Sequence, residues 1–88
     1  MMYIGYILYS PTVDRYYIGM TSNLVDRVRR HNSKSNGFTN RANDWIIKYS
    51  EAFQEKELAQ QREKEIKNWK SRKQIEKLIS AADSEHFD

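Results

Sequence analysis

The chain has 88 residues with 15 Lys or Arg, 12 Asp or Glu and no Cys, and its formal net charge is +3 at pH 7. This length suffices for one small domain, and the absence of Cys excludes a disulfide framework, a thiolate metal site and a cysteine nucleophile. The two His residues, His31 and His86, are too few and too far apart for a zinc site of their own. Because the apolar runs are too short to span a bilayer and residues 1–5 lack the features of a signal peptide, we expect a cytoplasmic globular domain without a membrane partner.

The first part of the chain carries two short segments rich in aromatic and β-branched residues, at residues 3–9 and 15–19. Such segments predict β-strands, and the connection at residues 11–14 predicts that they pair as a hairpin. Both segments are apolar at successive positions, which predicts that helices cover both faces of the sheet.

The length of the connection determines which side chains share a face of this hairpin. A loop of four residues places Ser10 opposite Arg15, so that Tyr6 lies opposite Gly19 and diagonal to Tyr17. In this register the two tyrosines share one face, and Gly19 leaves open space over Tyr6. A five-residue loop would put them on opposite faces, and the ordinary role of a tyrosine in a strand is to pack in the core.

The first predicted helix follows, with N-cap candidates at residues 21–23 and an end near His31. Leu24, Val28 and His31 recur on one face of it. Arg27 lies four residues before His31, beside this apolar face. Its planar guanidinium suits a phosphate group, although an arginine at such a position can equally cover the core with its stem and stay solvated.

The second half of the chain contains the patterns of a loop, a strand, two helices and a polar tail. These segments are residues 33–37, residues 45–49 with an extension to 53, residues 55–70, residues 72–79 and residues 80–88. The order β-β-α-β-α-α predicts an α/β fold of the α+β type, in which a small three-stranded mixed or antiparallel sheet is flanked by helices. We expect one domain over residues 1–79 and a flexible acidic tail over residues 80–88. No strand-to-helix turn has a phosphate-binding glycine pattern, which excludes a P-loop or Rossmann nucleotide site.

Glu63 interrupts the apolar stripe of the long predicted helix, because it shares the i, i+4, i+7 spacing of Ala59 and Ile66. A carboxylate that faces the core costs free energy unless it is paired or binds a cation. An ion pair with Lys67 at i+4 is one solution, and a Mg²⁺ ion completed by water and a substrate phosphate is the other. The spacing leaves both solutions open.

The excess of positive charge lies in the first half of the chain. Residues 1–54 contain seven Lys or Arg and four Asp or Glu, while the remaining residues contain eight of each. Five of the basic residues fall within fifteen positions, namely Arg27, Arg29, Arg30, Lys34 and Arg41. Such a cluster fits a polyanionic partner, but a solvated basic surface explains it equally well.

Five segments that occur in order along the chain resemble the GIY-YIG endonuclease superfamily. They are Ile4-Gly5-Tyr6, Tyr17-Ile18-Gly19, Arg27 with His31, Trp45 to Tyr49, and Ala59 to Trp69 with Glu63. The resemblance extends from Tyr3 to about Ile79, and the likeness is to short standalone members similar to the N-terminal nuclease domain found in excinuclease ABC. Glycine occupies the second rather than the first position of the first triplet. Asp44 stands where short members often have proline, and we expect it to loosen that loop.

This resemblance implies a metal-dependent endonuclease that hydrolyses phosphodiester bonds in DNA. The implied catalytic residues are Tyr6, Tyr17, Arg27, His31 and Glu63. Glu63 would hold a single divalent cation, Mg²⁺ or Mn²⁺. Tyr6 would act as the general base with support from Tyr17, while Arg27 would hold the scissile phosphate. His31 would hydrogen-bond a tyrosine or relay a proton. Because the ordinary pKa of tyrosine is about 10, positive charge from the metal and Arg27 must lower the pKa of Tyr6.

The implied nucleic-acid contacts are Arg27, Arg29, Arg30, Lys64 and Lys67. The alternative function is a non-catalytic nucleic-acid-binding module that uses the same basic and aromatic surface, and it would have no need of an inward-facing Glu63. A small interaction domain is a third possibility and would need an exposed apolar patch. A homodimer or a protein partner is compatible with the small size of the domain, but no residue pattern supports either.

Overall fold

A computed structural model of the chain describes residues 1–33 and 42–85, with residues 83–85 described for their backbone alone. Its six elements follow the predicted order β-β-α-β-α-α, which confirms the α+β fold. They are β1 (Tyr3–Ser10), β2 (Arg15–Thr21), α1 (Leu24–His31), β3 (Ile46–Phe53), α2 (Lys56–Trp69) and α3 (Arg72–Glu85). Within the described ranges, no helix has the length and apolar character needed to cross a membrane. Lys34, Arg41 and His86, and the predicted loop beyond Ser33, lie outside the described residues.

The sheet is antiparallel throughout, with β1 in the centre and the strand order β2-β1-β3. The hairpin has the register predicted from its four-residue loop, in which Ser10 pairs with Arg15 and Tyr6 with Gly19. Asp14 closes the turn in the left-handed region at φ 54°, and its N–H donates to the carbonyl of Ser10 at 2.7 Å. This register places Tyr6 and Tyr17 on the same face of the sheet.

The two faces of β1 contribute to two separate hydrophobic clusters, because successive side chains of a strand point to opposite faces. On one face, Tyr6 and Leu8 pack with Trp45 and with the apolar residues of α1. On the other face, Ile7 packs with Ile66 of α2 and Ile75 of α3. The prediction that helices cover both faces of the sheet is therefore confirmed.

The third strand starts one residue later than predicted and continues to Phe53, as its predicted extension indicated. Trp45 precedes the strand because its backbone groups bind a side chain instead of β1. Its N–H donates to Oδ1 of Asn32 at 2.7 Å, and its carbonyl accepts from Nδ2 of Asn32 at 3.1 Å. A bulge opposite Ile7 and Leu8 then shifts the register of β3.

Asp44 anchors the segment before β3, and the expectation that it loosens this loop is wrong. Its carboxylate accepts hydrogen bonds from the hydroxyl of the buried Ser10 at 2.6 Å and from the hydroxyl of Thr12 at 2.7 Å. The backbone N–H of Thr12 donates to it as well, at 3.1 Å. The donation from Ser10, followed by that from Thr12, lowers the pKa of Asp44. Asp44 thus ties this segment to the turn between β1 and β2.

The last helix extends well beyond its predicted end at Ile79. It continues to Glu85, so that the predicted flexible tail is helical over residues 80–85. The physical reason is local: these residues include Ala81 and Ala82 and contain neither Gly nor Pro. Alanine is the strongest helix former, and nothing in this segment stops the helix.

We predict that Ala81→Gly lowers the free energy of unfolding by roughly 0.5–1 kcal/mol, because glycine weakens a helix at an exposed position. Urea unfolding followed by circular dichroism measures the change, with Lys77→Gly in the middle of α3 as the reference substitution. An Ala81→Gly protein as stable as the wild type would show that residues 80–85 are frayed in solution.

Candidate active site

Three aromatic side chains from three elements meet beside the sheet: Tyr6 of β1, Tyr17 of β2 and His31 of α1. The Tyr6 side chain is almost fully buried, with 1% of its surface exposed, and its hydroxyl lies 3.1 Å from Nε2 of His31. The ring of Tyr17 lies 6.3 Å from that of Tyr6 and 4.5 Å from that of His31, measured between centroids. The sequence predicted that these residues lie near one another, and the structure brings them into one cluster.

Gly19 provides the space that the hydroxyl of Tyr6 occupies. A Cβ atom at this position would lie 2.5 Å from the Tyr6 hydroxyl oxygen and 2.6 Å from Cζ of the same ring. These distances are too short for any side chain. The open space that the sequence predicted over Tyr6 is therefore filled by the hydroxyl end of Tyr6 itself, which reaches His31 only because residue 19 is a glycine.

Arg27 lies one helical turn before His31, and its side chain is half-buried. Its positive charge and a hydrogen bond act to lower the pKa of Tyr6. The same charge disfavours the protonated form of His31. The structure thus brings Arg27 to the cluster, as the sequence predicted.

The pKa of Tyr6 is nevertheless raised to about 12, mainly because the phenol is buried, and next because Tyr17 lies close to it. The negative charge of Glu63 raises this pKa further, and the opposing effect of Arg27 is smaller. The sequence indicated that positive charge must lower the pKa of Tyr6 for it to act as a base. In the protein alone, burial outweighs that effect, and Tyr6 is a neutral phenol at pH 7.

His31 is also neutral at pH 7, because burial first and the charge of Arg27 second lower its pKa from 6.5. A neutral imidazole has one ring nitrogen that donates and one that accepts a hydrogen bond. With Nε2 as the acceptor, the hydroxyl of Tyr6 donates its proton to His31 and keeps its own lone pairs available for a third group.

Glu63 lies on α2 with 23% of its side chain exposed, and Nζ of Lys67 lies 3.0 Å from its carboxylate. The i,i+4 ion pair that the sequence offered as one solution is therefore present. The influence of Glu63 on the pKa of Tyr6 shows that its charge reaches the cluster.

The donor set at Glu63 fits a Mg²⁺ or Mn²⁺ ion that keeps most of its water. Within residues 1–33 and 42–85, no group of three or more His, Cys, Asp or Glu side chains could enclose a metal ion. Mg²⁺ does not require such a cage, since it commonly binds through one or two carboxylates together with water and substrate phosphates. A partly exposed carboxylate near a phenol meets that requirement.

The other predicted nucleic-acid contacts occupy more exposed positions. Arg29 and Arg30 both form ion pairs with Asp26, at 2.7 and 3.1 Å. Lys64 is exposed on α2 next to Glu63. Exposed pairs of this kind are weak, so that these arginines can exchange a carboxylate for a phosphate at little cost.

Sequence reasoning missed Asn32 and Trp45 as parts of this region. The Trp45 ring is buried and lies 6.4 Å from the ring of Tyr17 and 6.5 Å from that of His31. The hydrogen bonds between Asn32 and the backbone of Trp45 join residues 13 positions apart. Periodicity does not report such a contact, and the only available signal was that Asn32 directly follows His31.

Comparison with known proteins agrees with this geometry. Residues 2–77 match the family model described as the GIY-YIG catalytic domain. The chain is similar to the solution NMR structure of the UPF0213 protein BH0048 from Bacillus halodurans, with 30% sequence identity and a TM-score of 0.59. That similarity covers 92% of this chain and 85% of the other. None of the curated proteins matches the chain.

We predict that Gly19→Ala displaces the Tyr6 hydroxyl from His31 and lowers the free energy of unfolding by about 1–3 kcal/mol, as is typical of an overpacked site. The control is Gly5→Ala, because a Cβ there meets its nearest neighbour, the ring of Phe53, at an ordinary 3.8 Å. Urea unfolding and the NMR signals of the His31 ring measure both effects. Equal behaviour of the two variants would contradict the packing described for Gly19.

We also predict that His31 makes the protein less stable as the pH falls. A His with a lowered pKa contributes stability that is present above 6.5 and is lost as the pH falls through its pKa in the folded state. Urea unfolding between pH 7.5 and 5.5 should therefore show a weaker pH dependence for His31→Gln than for the wild type. His86→Gln is the control, and an unchanged slope in His31→Gln would show that His31 titrates normally.

Proposed function

The chain belongs to the GIY-YIG family, and on this premise we propose that it is a metal-dependent endonuclease that hydrolyses phosphodiester bonds in DNA. Members of this family are generally endonucleases that use divalent metals, so membership indicates a nuclease-type function on nucleic acid. The finer proposal depends on one observation: the buried hydroxyl of Tyr6 lies on Nε2 of His31, within the influence of Arg27 and Glu63.

Tyr6 and His31 can together take a proton from an attacking water. When the Tyr6 hydroxyl donates to Nε2 of His31, its oxygen remains free to accept a proton from that water. As the water loses its proton to Tyr6, Tyr6 passes its own proton to His31, and the hydroxide forms a bond to phosphorus. The phenol then never has to exist as a free anion, which matters because its pKa is about 12. Positioned proton transfer of this kind contributes a factor of roughly 10²–10⁴ to a rate.

Arg27 and Glu63 provide the charges that this reaction needs. The guanidinium of Arg27 would bind the scissile phosphate and stabilise the negative charge that develops on it. Glu63 would hold Mg²⁺ or Mn²⁺, which supplies a Lewis acid for the leaving oxygen. Neutralising the carboxylate of Glu63 would also remove one of the causes of the raised pKa of Tyr6.

Basic residues on α1 and α2 would bind the rest of the substrate. Arg29 and Arg30 extend outward from the helix that carries Arg27, and Lys64 and Lys67 flank Glu63. We propose that these four side chains contact backbone phosphates, in which case the affinity for DNA falls as salt increases.

The ion pair between Glu63 and Lys67 favours a second candidate function. Because Lys67 already balances the carboxylate, a non-catalytic nucleic-acid-binding module remains compatible with the geometry at Glu63. Such a module would bind nucleic acid with the same surface and without a cation.

We predict that Glu63→Gln abolishes cleavage of supercoiled plasmid in Mg²⁺ or Mn²⁺, by a factor of about 100 or more, because the amide removes the charge that holds the cation. Lys67→Gln is the matched control: it removes the ion pair, leaves Glu63 in place and should retain cleavage. The wild type in EDTA provides the metal-free reference.

The same experiment separates the two candidate functions. Full metal-dependent cleavage by Glu63→Gln would remove Glu63 from the mechanism. A wild-type protein that binds DNA in a salt-sensitive way without nicking it, and that binds more tightly as Glu63→Gln, would instead support the binding module.

A further inference from the structure

We propose that Asn32 is a positioning residue, which holds Trp45 against Tyr17 and His31 and so keeps the ring of His31 in place for the Tyr6 hydroxyl. The effect of Asn32 on the rings depends on contacts alone, and only its effect on cleavage rests on the proposed function. Asn32 touches neither Tyr6 nor the proposed substrate position through any described hydrogen bond.

Asn32 joins the end of α1 to the start of β3. Its backbone N–H donates to the carbonyl of Val28 at 3.1 Å and thereby closes the last turn of α1. Its side chain binds both backbone groups of Trp45, with Oδ1 accepting at 2.7 Å and Nδ2 donating at 3.1 Å. Pairing of Trp45 with β1 does not replace these bonds, since the ladder between β1 and β3 begins at Ile46.

Trp45 is the wall against which the two reactive rings lie. Its side chain has only 2% of its surface exposed, and it contacts Tyr17 edge to face with an interplanar angle of 71°. Its ring is tilted by 51° relative to that of His31. Because His31 has Trp45 on one side and the Tyr6 hydroxyl within hydrogen-bond distance, the position of Trp45 limits where the imidazole can lie.

Two separate attachments fix the backbone of Trp45, and each binds a different part of the fold. Asp44 attaches it to the turn between β1 and β2 through Ser10 and Thr12. Asn32 attaches it to α1, directly beside His31. Loss of the Asn32 bonds would leave Trp45 tied to the sheet but not to the helix, so that the end of α1 and the His31 ring could shift relative to Tyr6.

The test compares Asn32→Ala with Asn23→Ala, since both substitutions remove an asparagine side chain from an end of α1. Asn23 caps the opposite end of the helix, where its side chain accepts from the N–H of Asp26 at 3.1 Å. We expect both variants to lose thermal stability. Only Asn32→Ala should lose the NMR cross-peaks between Trp45 and the rings of Tyr17 and His31, and only this variant should shift the His31 ring signals.

Cleavage of plasmid in Mg²⁺ provides the functional readout. Asn32→Ala should cut about 10- to 100-fold more slowly than Asn23→Ala, because small misplacements of a reacting group reduce rates by such factors. If the wild type does not cut, the proposed function fails, while the ring cross-peaks still decide the role of Asn32.

Asn32→Asp keeps the protein testable if the alanine variant does not fold. It retains an oxygen that accepts from the N–H of Trp45 but loses the donor to its carbonyl, and it should shift the same His31 signals. Unchanged ring cross-peaks and His31 signals in the folded Asn32 variants, or equal changes in Asn23→Ala, would overturn the proposal.

Discussion

The hydrogen bond between the Tyr6 hydroxyl and Nε2 of His31 is the interaction on which the rest of the site depends. A phenol in the centre of a sheet needs a partner for its polar end, because a buried hydroxyl without one is costly. Here the partner comes from α1. The central strand, the first helix and the missing side chain of Gly19 must all be in register for this bond to form. The fold of the first 31 residues and the geometry of the candidate site are therefore one and the same constraint.

Burial gives this bond its stability and also makes Tyr6 a difficult base. The pKa of Tyr6 rises to about 12, while burial and Arg27 keep His31 neutral. The pair therefore holds one proton at pH 7, with an acceptor already beside it. Glu63 adds negative charge, which stabilises the phenol further and at the same time attracts cations. A relay from water through Tyr6 to His31 reconciles these facts, since it does not require a free phenolate.

The sequence could predict the parts of this arrangement that depend on local spacing. The four-residue turn determined the register that places Tyr6 opposite Gly19, and the i, i+4 spacing placed Arg27 and His31 on one side of α1. What it could not predict depends on hydrogen bonds between distant residues. Asp44 binds the turn at Thr12 across 32 positions, and Asn32 binds Trp45 across 13. Polar residues in connecting segments have no periodicity from which their partners follow, and the predicted end of α3 came too early because acidic residues are typical of a tail.

The most direct test of the relay is the single-turnover rate at which Tyr6→Phe cleaves DNA in Mg²⁺. The phenyl ring retains the packing of Tyr6 and removes only the oxygen. Tyr9→Phe is the matched control, because Tyr9 lies on the same strand and its hydroxyl donates to Asp14, away from His31. We predict that Tyr6→Phe cuts at least about 100-fold more slowly than the wild type, while Tyr9→Phe cuts normally. A folded Tyr6→Phe protein that cuts at the wild-type rate would contradict the role of Tyr6 in proton transfer.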